Sequence, residues 1–539
     1  VQLIPADLAN RTDVCVRWLS GAKVTEVAGK DLAADLETQK KLLTEIGVTA
    51  RTKVGLHGDN SYLWMVTDLA LAELDAVSVV FPPEFNDRKV DDLITDYGLV
   101  FYLASDAGPE ALTQQVSGRQ DAAVLGKLDP AHHTARPAHT IENDPYPVTD
   151  DDHSFVFSSG TSGTFKGMVI SKAGVQDQLK TFCDAMEVSA SDHLLLFMPF
   201  SSYQNRSLYY GALAYDVEIA VVPATQLMDG LKKFRPTFLV APPIFYEAVE
   251  KSLRAGIKAQ SGAVRTVLSV ITQIAAMMRP IAGGKLATAI LKRLYGAAHA
   301  VFGGQMRVLI TGMAKIGTST LSFYQSLGLP LLQVYGLTEC GVVCVNRPRD
   351  NIIGTVGKPL PGNDISIAED GEIFVRKPAP QTSRFFHFEA TTEDTRYENG
   401  GVYTGDLGQL ARDGTLTLVG RKKSTIVGHT GVKVQPEPIE KKLEEISLIT
   451  TAVLVGLEGG RRLGVVLQSP KALQDRERQS LELMAKGIVE GLASSFKNHL
   501  VFAYSAEDFT TDNGLLTRNL KINRGAVQKK FFPQESKTS

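Results

Sequence analysis

KVGLHGDNSYLWMVTDLALAELDAVSVVF, residues 53–81, is the stretch that decides the fold. Lys53-Val54-Gly55-Leu56-His57 reads as a buried strand. Asn60 or Ser61 can cap the helix that follows, because a short side-chain oxygen accepts from the first unpaired backbone N–H groups. Leu63, Val66, Leu69, Ala70 and Leu74 then recur at helical spacing. Ala76-Val77-Ser78-Val79-Val80-Phe81 is the next strand, and Pro82-Pro83 stops it, since proline cannot donate to a ladder. Strand, helix and strand in this order join parallel neighbours.

The same alternation continues along the chain. Val217-Glu218-Ile219-Ala220-Val221-Val222 and Phe238-Leu239-Val240-Ala241 read as strands, and Pro242-Pro243 ends the second. Arg307-Val308-Leu309-Ile310-Thr311 and Leu331-Leu332-Gln333-Val334-Tyr335 follow. After about residue 355 the pattern turns to hairpins. Ile365 to Ala368, a Glu-Asp-Gly turn at 369–371, and Glu372 to Val375 form one. Asp413-Gly414 marks another before Leu416-Thr417-Leu418-Val419. In the small α+β unit that follows, Pro438-Ile439-Glu440 opens a helix with Ile439, Leu443 and Ile446 on one face.

The 539 residues suggest three or four compact units. A net charge of −2 carries no electrostatic footprint for nucleic acid. Cys15, Cys183, Cys340 and Cys344 are too few and too scattered for a disulfide framework or a zinc site, and they read as small buried thiols in a reducing, cytoplasmic compartment. Val1-Gln2-Leu3-Ile4-Pro5 lacks the pattern of a signal peptide, and Val1 suggests a trimmed start. The longest apolar stretch, Thr266 to Met278, is short of the ~20 residues that span a bilayer. Val264 to Ala300 reads as a packed helical pair, with a peripheral membrane face built around Lys285, Lys292 and Arg293 as the alternative. No repeat or low-complexity tract is present.

Ser154-Phe155-Val156-Phe157 runs as an apolar strand into Ser158-Ser159-Gly160-Thr161-Ser162-Gly163-Thr164-Phe165-Lys166-Gly167, and Met168-Val169-Ile170 follows. Glycines let backbone N–H groups approach phosphate oxygens, hydroxyls add donors, and Lys166 supplies a compact positive charge. This is not a Walker A loop, which needs Gly before the lysine and Ser or Thr after it. The segment resembles the phosphate loop of the adenylate-forming superfamily, which includes acyl-CoA synthetases, luciferases and the adenylation domains of peptide synthetases. Phe165 stands where that family usually has proline.

Further segments resemble the family's motifs in their usual order. In Tyr335-Gly336-Leu337-Thr338-Glu339 the resemblance assigns the α-phosphate to Thr338 and Mg²⁺ to Glu339, and a carboxylate beside phosphates suits a hard cation. Tyr403-Thr404-Gly405-Asp406-Leu407 resembles the ribose motif, with Asp406 accepting from the hydroxyls. Gly420-Arg421-Lys422-Lys423 resembles the hinge, with Arg421 near the ribose and Lys423 as pivot. Gly428-His429-Thr430-Gly431-Val432-Lys433 resembles the strip that faces a thiol acceptor. Leu516 to Arg524 resembles the C-terminal motif, with Lys521 as the lysine that supports adenylation. Three departures stand out: Gly312-Met313-Ala314-Lys315 in the adenine segment, Ser202 in the acid-site segment Phe197 to Tyr203, and the form of 428–431; Ser202, Tyr203 and Gly431 are the resemblance's candidates for the acid and acceptor pocket.

The resemblance covers nearly the whole chain and is nearest to bacterial long-chain acyl-CoA synthetases. Arg235-Pro236-Thr237, the 354–362 segment and the 435–440 segment carry that nearer match. It implies an α/β protein: a large N-terminal domain, 1–420, of parallel-rich sheets flanked by helices plus a β-subdomain, and a small mobile α+β domain, 421–539. It implies ATP and Mg²⁺, a carboxylic acid substrate, and CoA as acceptor, with Lys521, Lys166, Thr338 and Glu339 catalytic. A carrier-protein thiol or an amine as acceptor, nitrite as the activated acid, and an inactive nucleotide-binding homologue are the rival readings. The oligomeric state is not readable from the sequence.

Overall fold

Lys53–His57 and Val77–Phe81 are parallel strands, paired from Lys53↔Val77 to His57↔Phe81 and joined by the helix Tyr62–Glu73. Ser61 caps that helix: its hydroxyl accepts from the Trp64 N–H at 3.1 Å. Asn60, the other candidate, is used elsewhere. Its amide donates to the Met198 carbonyl at 2.8 Å and accepts from the Phe200 N–H at 2.7 Å, pinning the 197–203 segment to the first βα turn. The computed structural model describes residues 3–137, 144–159, 165–278, 285–386, 396–429, 431–470, 473–510, 512–516 and 522–533.

Two large sheets share one core. The seven-stranded sheet runs in the order Thr382–Phe386, Phe165–Ser171, Asp152–Ser159, Val77–Phe81, Lys53–His57, Phe101–Ala104, Ala122–Val124. It is parallel except for the first two strands, which run antiparallel to their neighbours. The nine-stranded sheet places Leu331–Leu337, Val308–Thr311, Phe238–Ala241, His193–Leu196, Glu218–Val221 and Val14–Ser20 as consecutive parallel strands. Leu56, Val156 and Ile170 of one sheet and Leu194, Ile219 and Ile310 of the other belong to a single buried cluster with Leu69 and Tyr209 of the helices between them. Strands buried on both faces carry near-continuous apolar runs, which is why they stand out in the sequence.

The hairpins after 355 form a five-stranded sheet of Asp364–Ile367, Glu372–Arg376, Gly401–Leu410, Arg396–Glu398 and Leu416–Arg421. Beyond it, Thr451–Leu457, Arg462–Gln468 and Leu500–Ser505 form a three-stranded sheet. It packs with the helices Pro436–Glu444 and Asp475–Leu492 around a core of its own that starts at Ile426. Arg421 is the last residue of a strand of the preceding sheet, so the expected break at 420/421 falls at that strand's end. The 436–444 helix opens two residues earlier than expected. Pro436 occupies its first turn, Ile439 and Leu443 are buried, and Ile446 lies past its end. Lys441 of this helix pairs with Glu247 of the Pro243–Lys258 helix at 3.0 Å, linking the two units.

The 264–300 region folds as the helices Gly262–Met278, Lys285–Leu294 and Gly296–Val301, with the first two packed together. Among the described residues no helix is long and apolar enough to cross a membrane. Cys183, Cys340 and Cys344 are buried and Cys15 is half-buried, all as free thiols. Burial pushes the Cys15 thiol up to about 11.

Candidate active site

In open α/β sheets, ligands gather at the carboxyl ends of strands. The segments singled out in the sequence follow such ends. Residues 160–164 follow Asp152–Ser159, 197–203 follow His193–Leu196, 312–315 follow Val308–Thr311, and Thr338-Glu339 follow Leu331–Leu337.

Asp406 is where three motifs meet. It sits in the strand Gly401–Leu410, directly opposite Arg421 of the neighbouring strand. Its carboxylate accepts from the Arg421 Nε at 2.8 Å and from the Tyr335 hydroxyl at 2.9 Å. Tyr335 and Asp406 are buried, while Arg421 is half-exposed. Burial, then the Asp406 charge, raises the Tyr335 hydroxyl well above its ordinary value, so Tyr335 stays a neutral donor. These two contacts, one charge-assisted and one buried, fix the orientation of the carboxylate. Thr404 orients the same strand from below: its hydroxyl donates to the Ile373 carbonyl at 3.0 Å and accepts from the Asp406 N–H at 3.2 Å.

Glu372 underlies this arrangement and was not anticipated as a site residue. It is almost fully buried. Its carboxylate accepts from the Gly405 N–H at 2.9 Å, from Lys422 at 2.8 Å and from Arg396 at 3.3 Å. Lys422 also pairs with Asp370 at 2.6 Å, and these two carboxylates raise its affinity for a proton. One buried side chain therefore ties the ribose-motif strand to the residue beside Lys423. In the sequence Glu372 was visible only as the first residue of the strand after a Glu-Asp-Gly turn.

Thr338 and Glu339 form the turn between Leu331–Leu337 and Gly341–Val345. Gly336 has to be glycine, because a Cβ there would sit 2.4 Å from the Gly341 carbonyl oxygen. The Thr338 carbonyl accepts from the Thr382 hydroxyl at 2.9 Å, and the Glu339 carbonyl from the Thr382 N–H at 3.0 Å. Thr382–Phe386 in turn pairs with Phe165–Ser171, so the turn is anchored to the phosphate-loop hairpin. The Thr338 hydroxyl accepts from the Gln204 amide at 2.9 Å, and the Gln204 carbonyl oxygen accepts from the Ser202 hydroxyl at 3.0 Å. Ser202, Gln204 and Thr338 form a relay across 134 residues of chain. Gln204 is a second residue missed in the sequence. Its only local signal was its place in the first turn of the helix Tyr203–Ala214.

Tyr203 does not join that relay. It is 2% exposed, its ring lies 5.4 Å from the Arg206 guanidinium, and its hydroxyl has no partner among the described residues. Glu339 is buried. A buried carboxylate suits a divalent cation, which would offset its desolvation. Among the described residues no cluster of three or more His, Cys, Asp or Glu forms a self-contained metal site.

Ser158 pairs with Lys166 and Ser159 with Phe165 in the antiparallel hairpin that carries the phosphate-loop segment. Lys166 is buried at its base. Gly160, Thr161, Ser162, Gly163 and Thr164 lie outside the described residues, as do Thr430 and Lys521. At the adenine segment, the Ala314 N–H donates to the Gly312 carbonyl at 2.8 Å around Met313, whose φ is +67°. That is a γ-turn, a strained form that a non-glycine residue adopts rarely. Met313 is 52% exposed at its tip. Lys315 follows, half-buried, and desolvation lowers its pKa. Gly431, with φ +81°, closes the turn between Ile426–Val427 and Lys433–Val434, and its N–H donates to the Gly428 carbonyl at 2.7 Å. Val427 and Val432 beside it are exposed.

The sequence signature described as AMP-binding enzyme matches residues 24–381. The long-chain-fatty-acid–CoA ligase FadD15 of Mycobacterium bovis is 27% identical over 94% of this chain and 91% of its own length. The chloroplastic long-chain-fatty-acid–[acyl-carrier-protein] ligase AEE15 of Arabidopsis thaliana is 24% identical over 91% of this chain and 79% of its own. Among solved structures, o-succinylbenzoate CoA synthetase (MenE) from Bacillus subtilis, in complex with its acyl-adenylate intermediate OSB-AMP, shares the fold. Its TM-score is 0.69 at 17% identity, covering 96% of this chain and 95% of that one.

Proposed function

The chain belongs to the AMP-binding enzyme family, and from that premise we propose that it uses ATP to convert a carboxylic acid to an acyl-adenylate and passes the acyl group to the thiol of CoA. The observation that carries this reading is the convergence of Tyr335 and Arg421 on Asp406, with Tyr335 in the strand that leads into the Thr338-Glu339 turn. It gives one face that holds a ribose and an adjacent face that holds phosphates. The names of the fatty-acid ligases similar to this chain favour a fatty acid as the substrate.

In the first step the acid carboxylate attacks the α-phosphorus, an oxygen–phosphorus bond forms, and pyrophosphate leaves with the electrons of the broken bond. The transition state is anionic, so the protein acts mainly by positioning and by offsetting charge. Lys166 and the hydroxyls of 158–164 hold the leaving phosphates. Thr338, fixed by Gln204, donates toward the α-phosphate. Ser202, at the other end of that relay, stands at the entry of the acid. Asp406 accepts from the ribose hydroxyls, and Gly312, Met313 and Ala314 border the adenine. Glu339 is the residue that would hold Mg²⁺, which supplies charge neutralisation on the phosphates when bound. Lys521 bridges the acid and the α-phosphate. For thioester formation, residues 421–539 rotate about Lys423, and the strip around Gly431 replaces Lys521. The exposed Val427 and Val432 give that strip an apolar surface to lay against the body.

Asp406→Asn tests the core of this reading. It keeps the Tyr335 and Arg421 contacts in part but weakens acceptance from the ribose, so adenylate formation should fall about a hundredfold, a loss typical of one stabilising contact in a transition state. Unchanged pyrophosphate release would remove Asp406 from the site. A carrier-protein thiol in place of CoA is the second reading, favoured by the similarity to the acyl-carrier-protein ligase. Parallel assays with CoA and with an acyl carrier protein separate the two by which thioester forms.

A further inference from the structure

The charge of this chain is balanced overall, 57 Lys and Arg against 59 Asp and Glu, but it is not balanced locally. From Lys251 to Thr338 there is no Asp or Glu at all, and between Lys251 and Arg293 stand eight Lys or Arg. Seven of them belong to three consecutive helices, Pro243–Lys258, Gly262–Met278 and Lys285–Leu294, and Arg279 lies outside the described residues. Lys251, Lys258, Lys292 and Arg293 are exposed. Arg254 is engaged, paired with Glu250 at 2.6 Å and stacked 4.2 Å over Phe323, and does not add to the free charge.

The middle helix adds an apolar component. Val270 and Ile274 are 48% and 49% exposed and stand four residues apart, on one face. The other side of that helix is occupied: the Thr272 hydroxyl meets the Tyr295 hydroxyl at 2.7 Å, and Leu291 is buried against Tyr295. The two valine and isoleucine side chains are thus left in water although the helix has a packed face.

We propose that these helices dock the protein on an anionic lipid bilayer. Apolar residues on one helical face partition into the headgroup–acyl boundary, and flanking cations meet lipid phosphates. The two carboxylates of the first helix, Glu247 and Glu250, are paired with Lys441 and Arg254, and no other stands before Thr338, so the segment carries little to repel an anionic surface. The Pro243–Lys258 helix starts at the carboxyl end of the strand Phe238–Ala241, so the face lies about 24 Å of helix from the strand ends that gather the site. An acid dissolved in the membrane would be taken up close to where it reacts.

The test is flotation of the full chain with phosphatidylcholine vesicles, with and without phosphatidylglycerol. Capture is expected only with the anionic lipid, and it should fall as salt is added. Combining Lys251→Glu, Lys258→Glu, Lys292→Glu and Arg293→Glu should weaken capture by more than about tenfold, since each cation near the surface counts for roughly fivefold. Val270→Asp with Ile274→Asp should weaken it similarly. Because all six positions are exposed, both variants should keep their thermal midpoint and their pyrophosphate release with a short water-soluble acid. Equal capture on pure phosphatidylcholine, no capture at low salt, or capture unchanged in both variants would overturn the proposal. So would binding to an acidic carrier protein that these variants abolish while no vesicle is captured.

Discussion

Gln204 uses both ends of its amide, accepting from Ser202 and donating to Thr338, so it fixes a hydroxyl that no backbone contact among the described residues orients. A neutral hydrogen bond contributes about 0.5–1.5 kcal/mol. Gln204→Leu should therefore lower kcat/KM for pyrophosphate release by roughly tenfold. Ser202→Ala should cost less, because Gln204 still reaches Thr338; the reverse order in a steady-state assay would mean that Ser202 acts on the acid directly. Two buried imidazoles give a pH prediction. Burial lowers His57 to about 4, and burial followed by the Arg206 charge lowers His153 to about 3. In the unfolded chain both take up a proton as the pH falls through about 6.5, while in the fold they stay neutral. Their contribution is present above that value and is lost as the pH falls toward 4, at about 1.4 kcal/mol per pH unit for each. The urea midpoint should drop between pH 7 and pH 4.5, and His153→Gln should make that drop shallower. An unchanged slope would mean that other groups set the acid limit.

The hairpin of Asp152–Ser159 and Phe165–Ser171 is the element on which the phosphate segment depends, and its base is tight. A Cβ at Gly167 would lie 2.6 Å from the Phe386 carbonyl oxygen and 2.7 Å from its ring. Gly167→Ala should cost about 1–3 kcal/mol through overpacking and raise KM for ATP. A thermal scan and an ATP titration check the two effects, and a variant with wild-type values in both would place the strain elsewhere. Elements of this kind were legible in the sequence for a physical reason. Strands such as Lys53–His57 and Val77–Phe81 are buried on both faces and are largely apolar, with only Lys53, His57 and Ser78 polar. The glycine and hydroxyl chemistry of 158–167 is local. Gln204 and Glu372 were hidden because their partners are distant in sequence, Thr338 at 134 residues and Lys422 at 50. The γ-turn at Met313 was hidden because nothing in Gly-Met-Ala demands a positive φ. The start of the 436–444 helix was misjudged because two prolines, Pro436 and Pro438, can both sit in a first turn.

At the scale of the whole molecule, residues beyond Ile426 have their own core, and the contact between Lys441 and Glu247 joins them to the body. A partly exposed ion pair of this type contributes little to stability, which suits a contact that the proposed rotation would break and remake. The proposed rotation assigns Lys521 to the first half-reaction alone. Lys521→Ala should lose adenylation by a factor of about a hundred, yet still convert a supplied acyl-adenylate and CoA to the thioester. Equal loss in both halves would contradict the rotation.

Release of AMP and pyrophosphate across fatty, aromatic and amino acids and nitrite, with and without CoA and read by mass spectrometry, tests the central claim most directly. The predicted result is pyrophosphate release with one class of fatty acid, and acyl-CoA together with AMP once CoA is added. Tight ATP binding without pyrophosphate release for any acid would contradict adenylate formation itself, and release with nitrite alone would contradict the assignment of a carboxylic acid.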